Sequence, residues 1–138
     1  MPRLDLYHSV VKAALIKDGW RITDDPLQLQ YEGFNLYADL GAERPVFAER
    51  RAEKIAVEIK GFGSPSPISE LEKAVGQYAL YRFLLQRIQP ERLLYLAIPN
   101  DIYQDFFQRS PIRDFVTEQQ VLLFIFNPNG EEIMQWIN

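Results

Sequence analysis

Asp39, Glu58 and Lys60 combine two acids and a base at a spacing that suits phosphodiester hydrolysis. At neutral pH that reaction needs a divalent ion to gather charge on the phosphoryl oxygens and to acidify a water, so carboxylates must converge on one point. Eighteen residues separate Asp39 from Glu58, and Lys60 follows at the next position but one within Lys54-Ile55-Ala56-Val57-Glu58-Ile59-Lys60. Such a run reads as a strand. Its period of two sets Ala56, Glu58 and Lys60 on one face and turns Ile55, Val57 and Ile59 to the other. Asp39 and Glu58 are therefore candidate metal ligands, and the Ile59 carbonyl is available as another. Lys60 is the candidate for orienting a water or balancing charge. A Glu-x-Lys pair alone more often marks a solvent-facing strand; the order of elements around these residues is what raises them above that reading.

Composition narrows the choice of ion. The chain has no cysteine and a single histidine, His8. Disulfides, thiolate nucleophiles, iron–sulfur clusters and cysteine zinc sites are excluded, which leaves oxygen ligands and His8 for any metal. A hard ion, Mg2+ or Mn2+, is the expected cofactor. Net charge is −4, which argues against coating nucleic acid by bulk electrostatics. Residues 1–100 hold thirteen basic and thirteen acidic side chains, whereas in residues 101–138 Arg109 and Arg113 stand against Asp101, Asp105, Asp114, Glu118, Glu131 and Glu132. That acidic part reads as a solvated face more readily than as a partner surface. Tight DNA binding would then call for a partner or for a second subunit in a homodimer. At 138 residues and 47% hydrophobic content the chain supplies one sizeable core and not two, so one domain over residues 1–138 is expected. No apolar run reaches eighteen residues, and Met1-Pro2-Arg3-Leu4-Asp5-Leu6-Tyr7-His8 lacks the apolar stretch of a secretory signal. A soluble, cytoplasmic protein with no membrane partner is the expectation.

The elements that must position the triad follow from periodicity. Leu4, Tyr7, Val11, Ala14 and Leu15 recur at helical spacing over residues 4–17, with Asp18-Gly19 as a stop. After a turn at Asp24-Asp25-Pro26, residues 27–31 and 34–40 alternate around Glu32-Gly33 and predict a β-hairpin carrying Asp39 near its end. Residues 43–53 are polar, with Val46-Phe47-Ala48 as a short strand or helical turn. The strand over 54–60 precedes a loop over 61–67 rich in Gly, Ser and Pro. Ser69-Glu70-Leu71-Glu72 fits a capping box with Ser69 as N-cap, and Leu71, Val75, Tyr78, Leu85 and Ile88 continue an apolar stripe to Gln89-Pro90. Residues 92–98 predict a strand buried on both faces, followed by a helix from about Asn100. Strands over 121–126 and 133–137 close the chain around a turn over 127–130. The predicted class is α/β, a mixed α+β sheet flanked by helices.

Asp39 and Glu58-Ile59-Lys60 on a hydrophobic strand resemble the PD-(D/E)xK signature of restriction-endonuclease-like nucleases, although Ala38 and not proline precedes Asp39. The resemblance implies a restriction-endonuclease-like core in which the acids bind Mg2+ and the lysine assists the water. Gln77 and Tyr81 resemble the Gln-x-x-x-Tyr element of the RecB-like branch, whose members also use a histidine on the first helix, the place of His8. Over nearly its full length the chain also resembles the XisH family, the excision controlling factors of the fdxN element in cyanobacteria. The residues that carry this are Asp5-x-Tyr7-His8-x-x-Val11-Lys12-x-Ala14-Leu15-Ile16-Lys17-Asp18-Gly19-Trp20, Ala38-Asp39-Leu40-Gly41-Ala42-Glu43, Ile55-Ala56-Val57-Glu58-Ile59-Lys60 and Leu71-Glu72-Lys73-Ala74-Val75-Gly76-Gln77-Tyr78-x-Leu80-Tyr81-Arg82. This resemblance implies programmed, site-specific DNA excision, with XisI as a companion protein.

The leading expectation is a Mg2+-dependent nuclease-like domain acting on DNA. Asp39 and Glu58 ligate metal with the Ile59 carbonyl, Lys60 orients the water, Gln77 and Tyr81 brace the site or contact DNA, and His8 is a candidate further ligand. The commoner role of a helical histidine is a satisfied or surface one. Asp5 shares the face of His8 or favours the helix N-terminus. Lys12 and Lys73 are candidates for phosphate contact or ordinary exposed lysines. Two alternatives share these residues: a non-catalytic accessory protein that binds a site-specific recombinase or XisI, and a toxin-like nuclease restrained by its partner.

Overall fold

The computed structural model describes residues 3–138, with the side chains of residues 7–138 apart from Glu49. Helix α1 (Arg3–Lys17) ends where Gly19 takes φ +95, and Trp20 N–H returns to Leu15 O at 3.0 Å. Strand β1 (Arg21–Asp24) follows, then the hairpin β2 (Leu27–Tyr31) and β3 (Phe34–Ala38). Glu32 and Gly33 both have positive φ, the backbone that a two-residue hairpin turn requires. Strands β4 (Leu40–Val46) and β5 (Arg51–Ile59) are joined by a 3-10 turn (Phe47–Glu49). Helix α2 (Pro67–Ile88) leads to β6 (Arg92–Pro99). The short α3 (Asn100–Ile102) runs into a π-helical turn (Tyr103–Phe107), then α4 (Ser110–Glu118), β7 (Leu122–Asn127) and β8 (Glu132–Ile137).

Six strands form one mixed sheet in the order β1-β4-β5-β6-β7-β8, with β5, β6 and β7 parallel and the outer pairings antiparallel. The α/β class read from periodicity is what the structure has. Helix α1 buries Val10, Val11 and Leu15 on one face of the sheet, with Trp20, Ile55, Val57, Ile59 and Phe124. Helix α2 buries Leu71, Ala74, Tyr78, Tyr81 and Leu85 on the other, with Ala56, Leu94, Leu96, Leu123 and Ile125. The odd and even residues of β5 thus serve two different cores, which the period of two requires of a central strand covered on both sides. Among the described residues no helix is long and apolar enough to cross a membrane.

Three local expectations need correction. The alternating run over 34–40 breaks at Asp39: β3 pairs only with β2 in a separate two-stranded ribbon, while β4 joins the main sheet. The polar stretch over 43–53 is mostly strand, because its charges pair across β4 and β5, as Arg44 and Glu53 do at 3.0 Å. Helix α2 starts three residues earlier than the capping box suggested. Ser66, extended and followed by Pro67 at the first helical position, accepts from Ser69 N–H at 3.3 Å, and Ser69 lies inside the helix.

Tyr78 ties α2 to the sheet. Its buried hydroxyl donates to Leu94 O at 2.8 Å and accepts from Leu122 N–H at 3.1 Å, bridging the starts of β6 and β7. Replacing Tyr78 by Phe takes this partner from the buried Leu94 carbonyl and from the half-buried Leu122 N–H. Urea denaturation should therefore show a loss of about 1–3 kcal/mol with an unchanged circular dichroism spectrum; an unaltered midpoint would show that the bridge carries no net stability.

Candidate active site

The antiparallel register that pairs Leu40 with Val57 brings Asp39 opposite Glu58. There the backbone ladder gives way to side chains. Asp39 N–H donates to Glu58 Oε1 at 2.9 Å, and Ile59 N–H donates to Asp39 Oδ2 at 2.7 Å. Each carboxylate fills the partner its neighbour strand would have supplied, so the chain leaves the sheet at Asp39 without orphaned donors. One step on, Lys60 N–H continues the ladder to Ala97 O at 3.0 Å, which fixes where the lysine side chain begins.

Lys60 Nζ stands 3.8 Å from Glu58 Oε2 and donates to Gln77 Oε1. Gln77 Nε2 donates to the Tyr81 hydroxyl at 3.1 Å, the i to i+4 spacing placing both on one face of α2. Five of the residues singled out in the sequence, Asp39, Glu58, Lys60, Gln77 and Tyr81, therefore form one connected cluster around Ile59. His8 is linked elsewhere: its Nε2 lies 2.6 Å from Asp25 Oδ1, and Lys12 Nζ donates to Asp25 Oδ2 at 2.8 Å. In the sequence Asp25 reads only as part of a turn. Seventeen positions from His8, it offers no spacing signal that would have paired them. The His8–Asp25–Lys12 group flanks the acid pair closely enough for the charges of His8 and Asp25 to act on Asp39. Lys73 is exposed on α2, and the side chain of Asp5 lies outside the described residues.

Electrostatics mark the pair as costly. Glu58 is only 4% exposed. Burial first, then the neighbouring Asp39 charge, pushes its carboxyl up to about 8, against the opposing pull of Lys60 and the Asp39 N–H. Burial also raises Asp39, offset by the Ile59 N–H and by the Lys60 and His8 charges. At Asp25 burial works upward too, but the bonds from Lys12 and His8 outweigh it and hold that carboxyl low. Tyr81 is raised by burial, so its hydroxyl keeps its proton while it accepts from Gln77. A buried and a half-buried acid facing one another beside an ammonium are a poor stabilising device and a good ion trap.

The donor set fits a hard ion. Mg2+ takes one or two carboxylates and keeps several waters. Among the described residues no three His, Cys, Asp or Glu side chains converge as a ligand set, so main-chain oxygen, water and substrate oxygens would complete the shell. Size does not locate this site, because a cleft of about 530 Å3 lies at the opposite ends of β6 and β7 and shares no residue with the cluster.

Comparison with known proteins agrees over almost the whole chain. The XisH protein family model matches residues 1–134. A crystal structure of an XisH family protein from Nostoc punctiforme PCC 73102 is similar at 48% identity and TM-score 0.88, covering 97% of this chain and all of the other. A crystal structure of an fdxN element excision controlling factor protein from Anabaena variabilis is similar at 44% identity and TM-score 0.88, covering 97% of this chain and 99% of the other. No curated protein matches the chain.

The acid pair sets a pH dependence. The folded protein holds the Glu58 proton up to about pH 8, whereas the unfolded chain releases it near 4.5. The unfolded state thus binds fewer protons across that window, and in chelator stability falls as pH rises through it, by up to about 1.4 kcal/mol per pH unit. Glu58→Gln, which can still accept from Asp39 N–H, should flatten this slope and be the more stable protein at pH 8 in urea titrations. Parallel pH profiles would contradict the buried-acid assignment.

Proposed function

The chain belongs to the XisH family, and on that premise we propose that it is a controlling factor for site-specific excision of a DNA element, acting through a Mg2+- or Mn2+-dependent nuclease-like site on a restriction-endonuclease-like core. The similarity to the Anabaena variabilis excision controlling factor supports the biological role. The observation that carries the chemical reading is the reciprocal capture of backbone by Asp39 and Glu58 with Lys60, Gln77 and Tyr81 gathered on the same side.

In this reading Asp39 and Glu58 hold the ion with the Ile59 carbonyl, and His8 stands on the Asp39 side as a further ligand or as a support held by Asp25. When bound, the ion supplies charge to the phosphoryl oxygens and a water acidified toward neutral pH. Lys60 aims its ammonium at the place where charge develops, and Gln77 restricts where that ammonium can go. The Tyr81 hydroxyl fixes the Gln77 amide and so the whole chain of donors. Lys12, one turn along α1 from His8, bears on a neighbouring phosphate. With net charge −4, the chain leaves part of the DNA grip to a companion of the XisI type, to a site-specific recombinase or to a second copy of itself.

Purified protein, alone and with its XisI-type companion, should nick or cut plasmid DNA with Mg2+ or Mn2+ and not with chelator. Lys60→Ala should lower the rate by about 10²–10³-fold, and Glu58→Ala should abolish both cleavage and excision in cells. Excision at the parental level in a folded Glu58→Ala/Lys60→Ala double variant would contradict the nuclease reading. Lost excision without any metal-dependent cleavage by the wild-type pair would favour an accessory role on the same fold.

A further inference from the structure

A cleft of about 250 Å3 opens beside the cluster, lined by Tyr7, Lys60, Gly61, Phe62, Ser64 and Glu70 among others. Nothing in the chemistry above uses Tyr7, Phe62 or Glu70. Both walls of the cleft are held in place. A Cβ at Gly61 would come within 2.8 Å of the Tyr7 ring, so the loop after β5 lies against α1 only because that residue is glycine. Tyr7 is in turn seated edge-on against Phe126, with ring centroids 5.7 Å apart. Phe62 has φ +50, a left-handed conformation that bulky side chains rarely adopt, and its buried ring packs on Phe106 and Phe107 of the π-helical turn at 6.1 and 5.2 Å. A strained residue locked by surrounding rings is the kind of backbone found at ligand clamps.

We propose that this cleft receives one unpaired nucleotide of a DNA strand, next to the phosphate presented to Asp39 and Glu58, with Tyr7 stacking on the base and Glu70 accepting its exocyclic amino group. The proposal rests on the nuclease-like reading of the neighbouring cluster. The cleft is smaller than the roughly 300–1,000 Å3 of pockets for drug-sized ligands, so it takes a single planar ring system and not a base pair. Unpaired bases are recognised by stacking on aromatic rings and by hydrogen bonds to their edges. A carboxylate accepts from the amino group of cytosine, whereas the one donor on thymine, N3–H, lies between two carbonyl oxygens that repel it. An amino-bearing base is therefore favoured. Lys60 is common to the cleft and the acid cluster, which sets the captured base beside the bond to be cut.

Fluorescence anisotropy on the full chain tests this in chelator, where no cleavage intervenes, with labelled oligo(dC), oligo(dT) and a duplex. The wild type should bind single strands more tightly than duplex and oligo(dC) more tightly than oligo(dT). Tyr7→Leu should weaken single-strand binding roughly tenfold, Tyr7→Phe should restore it, and Glu70→Gln should bring the two single strands toward equal affinity. Thermal unfolding of each variant separates lost binding from lost fold. Unchanged affinity and preference in both Tyr7→Leu and Glu70→Gln, or no single-strand binding by the wild type, would overturn the cleft assignment. A wild type that shows the cytosine preference yet cleaves nothing with metal would contradict the nuclease reading and leave the cleft standing.

Discussion

The reciprocal hydrogen bonds between Asp39 and the Glu58–Ile59 segment are the constraint on which the rest of the structure turns. Antiparallel pairing of β4 with β5 needs partners at the end of the ladder, and here they are carboxylate oxygens. Because those oxygens close the ladder, the chain can leave the sheet at Asp39 and form the separate β2–β3 ribbon. The same bonds fix two acids face to face, where neither the desolvation nor the mutual repulsion is fully relieved by Lys60. A fold selected for stability alone would place apolar residues there. Strain that a sheet end does not require is a signature of a site.

The two helices that cover the sheet share the work of positioning. Helix α2 is anchored by its apolar stripe and by the Tyr78 bridge to β6 and β7, which leaves the face bearing Gln77 and Tyr81 turned toward Lys60. Helix α1 packs on the opposite core yet reaches the same end of the sheet through His8, Lys12 and Tyr7. Two helices on opposite faces thus converge at the end of one central strand. Between them the short loop from Gly61 to Ser64 has no room for a side chain at its first position and is held at its second by a ring cluster.

Glu58 and Lys60 were legible because period-two alternation of Ile55, Val57 and Ile59 is a strong strand signal, and α2 was legible from its apolar stripe. Asp39 is legible as an acid near the end of an alternating run, but alternation over residues 34–40 cannot reveal a bend made by a side chain capturing a distant N–H. The strands hidden in residues 43–53 were obscured because cross-strand charges replaced the hydrophobic pattern. The role of Asp25 is hidden for a related reason: its link to His8 and Lys12 depends on how β1 lies against α1, which no local spacing encodes. The capping-box pattern at Ser69 carries no information on Pro67, whose fixed φ starts the helix three residues earlier.

On the proposed reading, Asp39 and Glu58 face one another to hold a divalent ion. Isothermal titration of Mn2+ into the wild type and into Asp39→Ala tests it most directly. Saturable binding to the wild type should disappear in a folded Asp39→Ala variant. Equal affinity in the two proteins would remove Asp39 from any metal site.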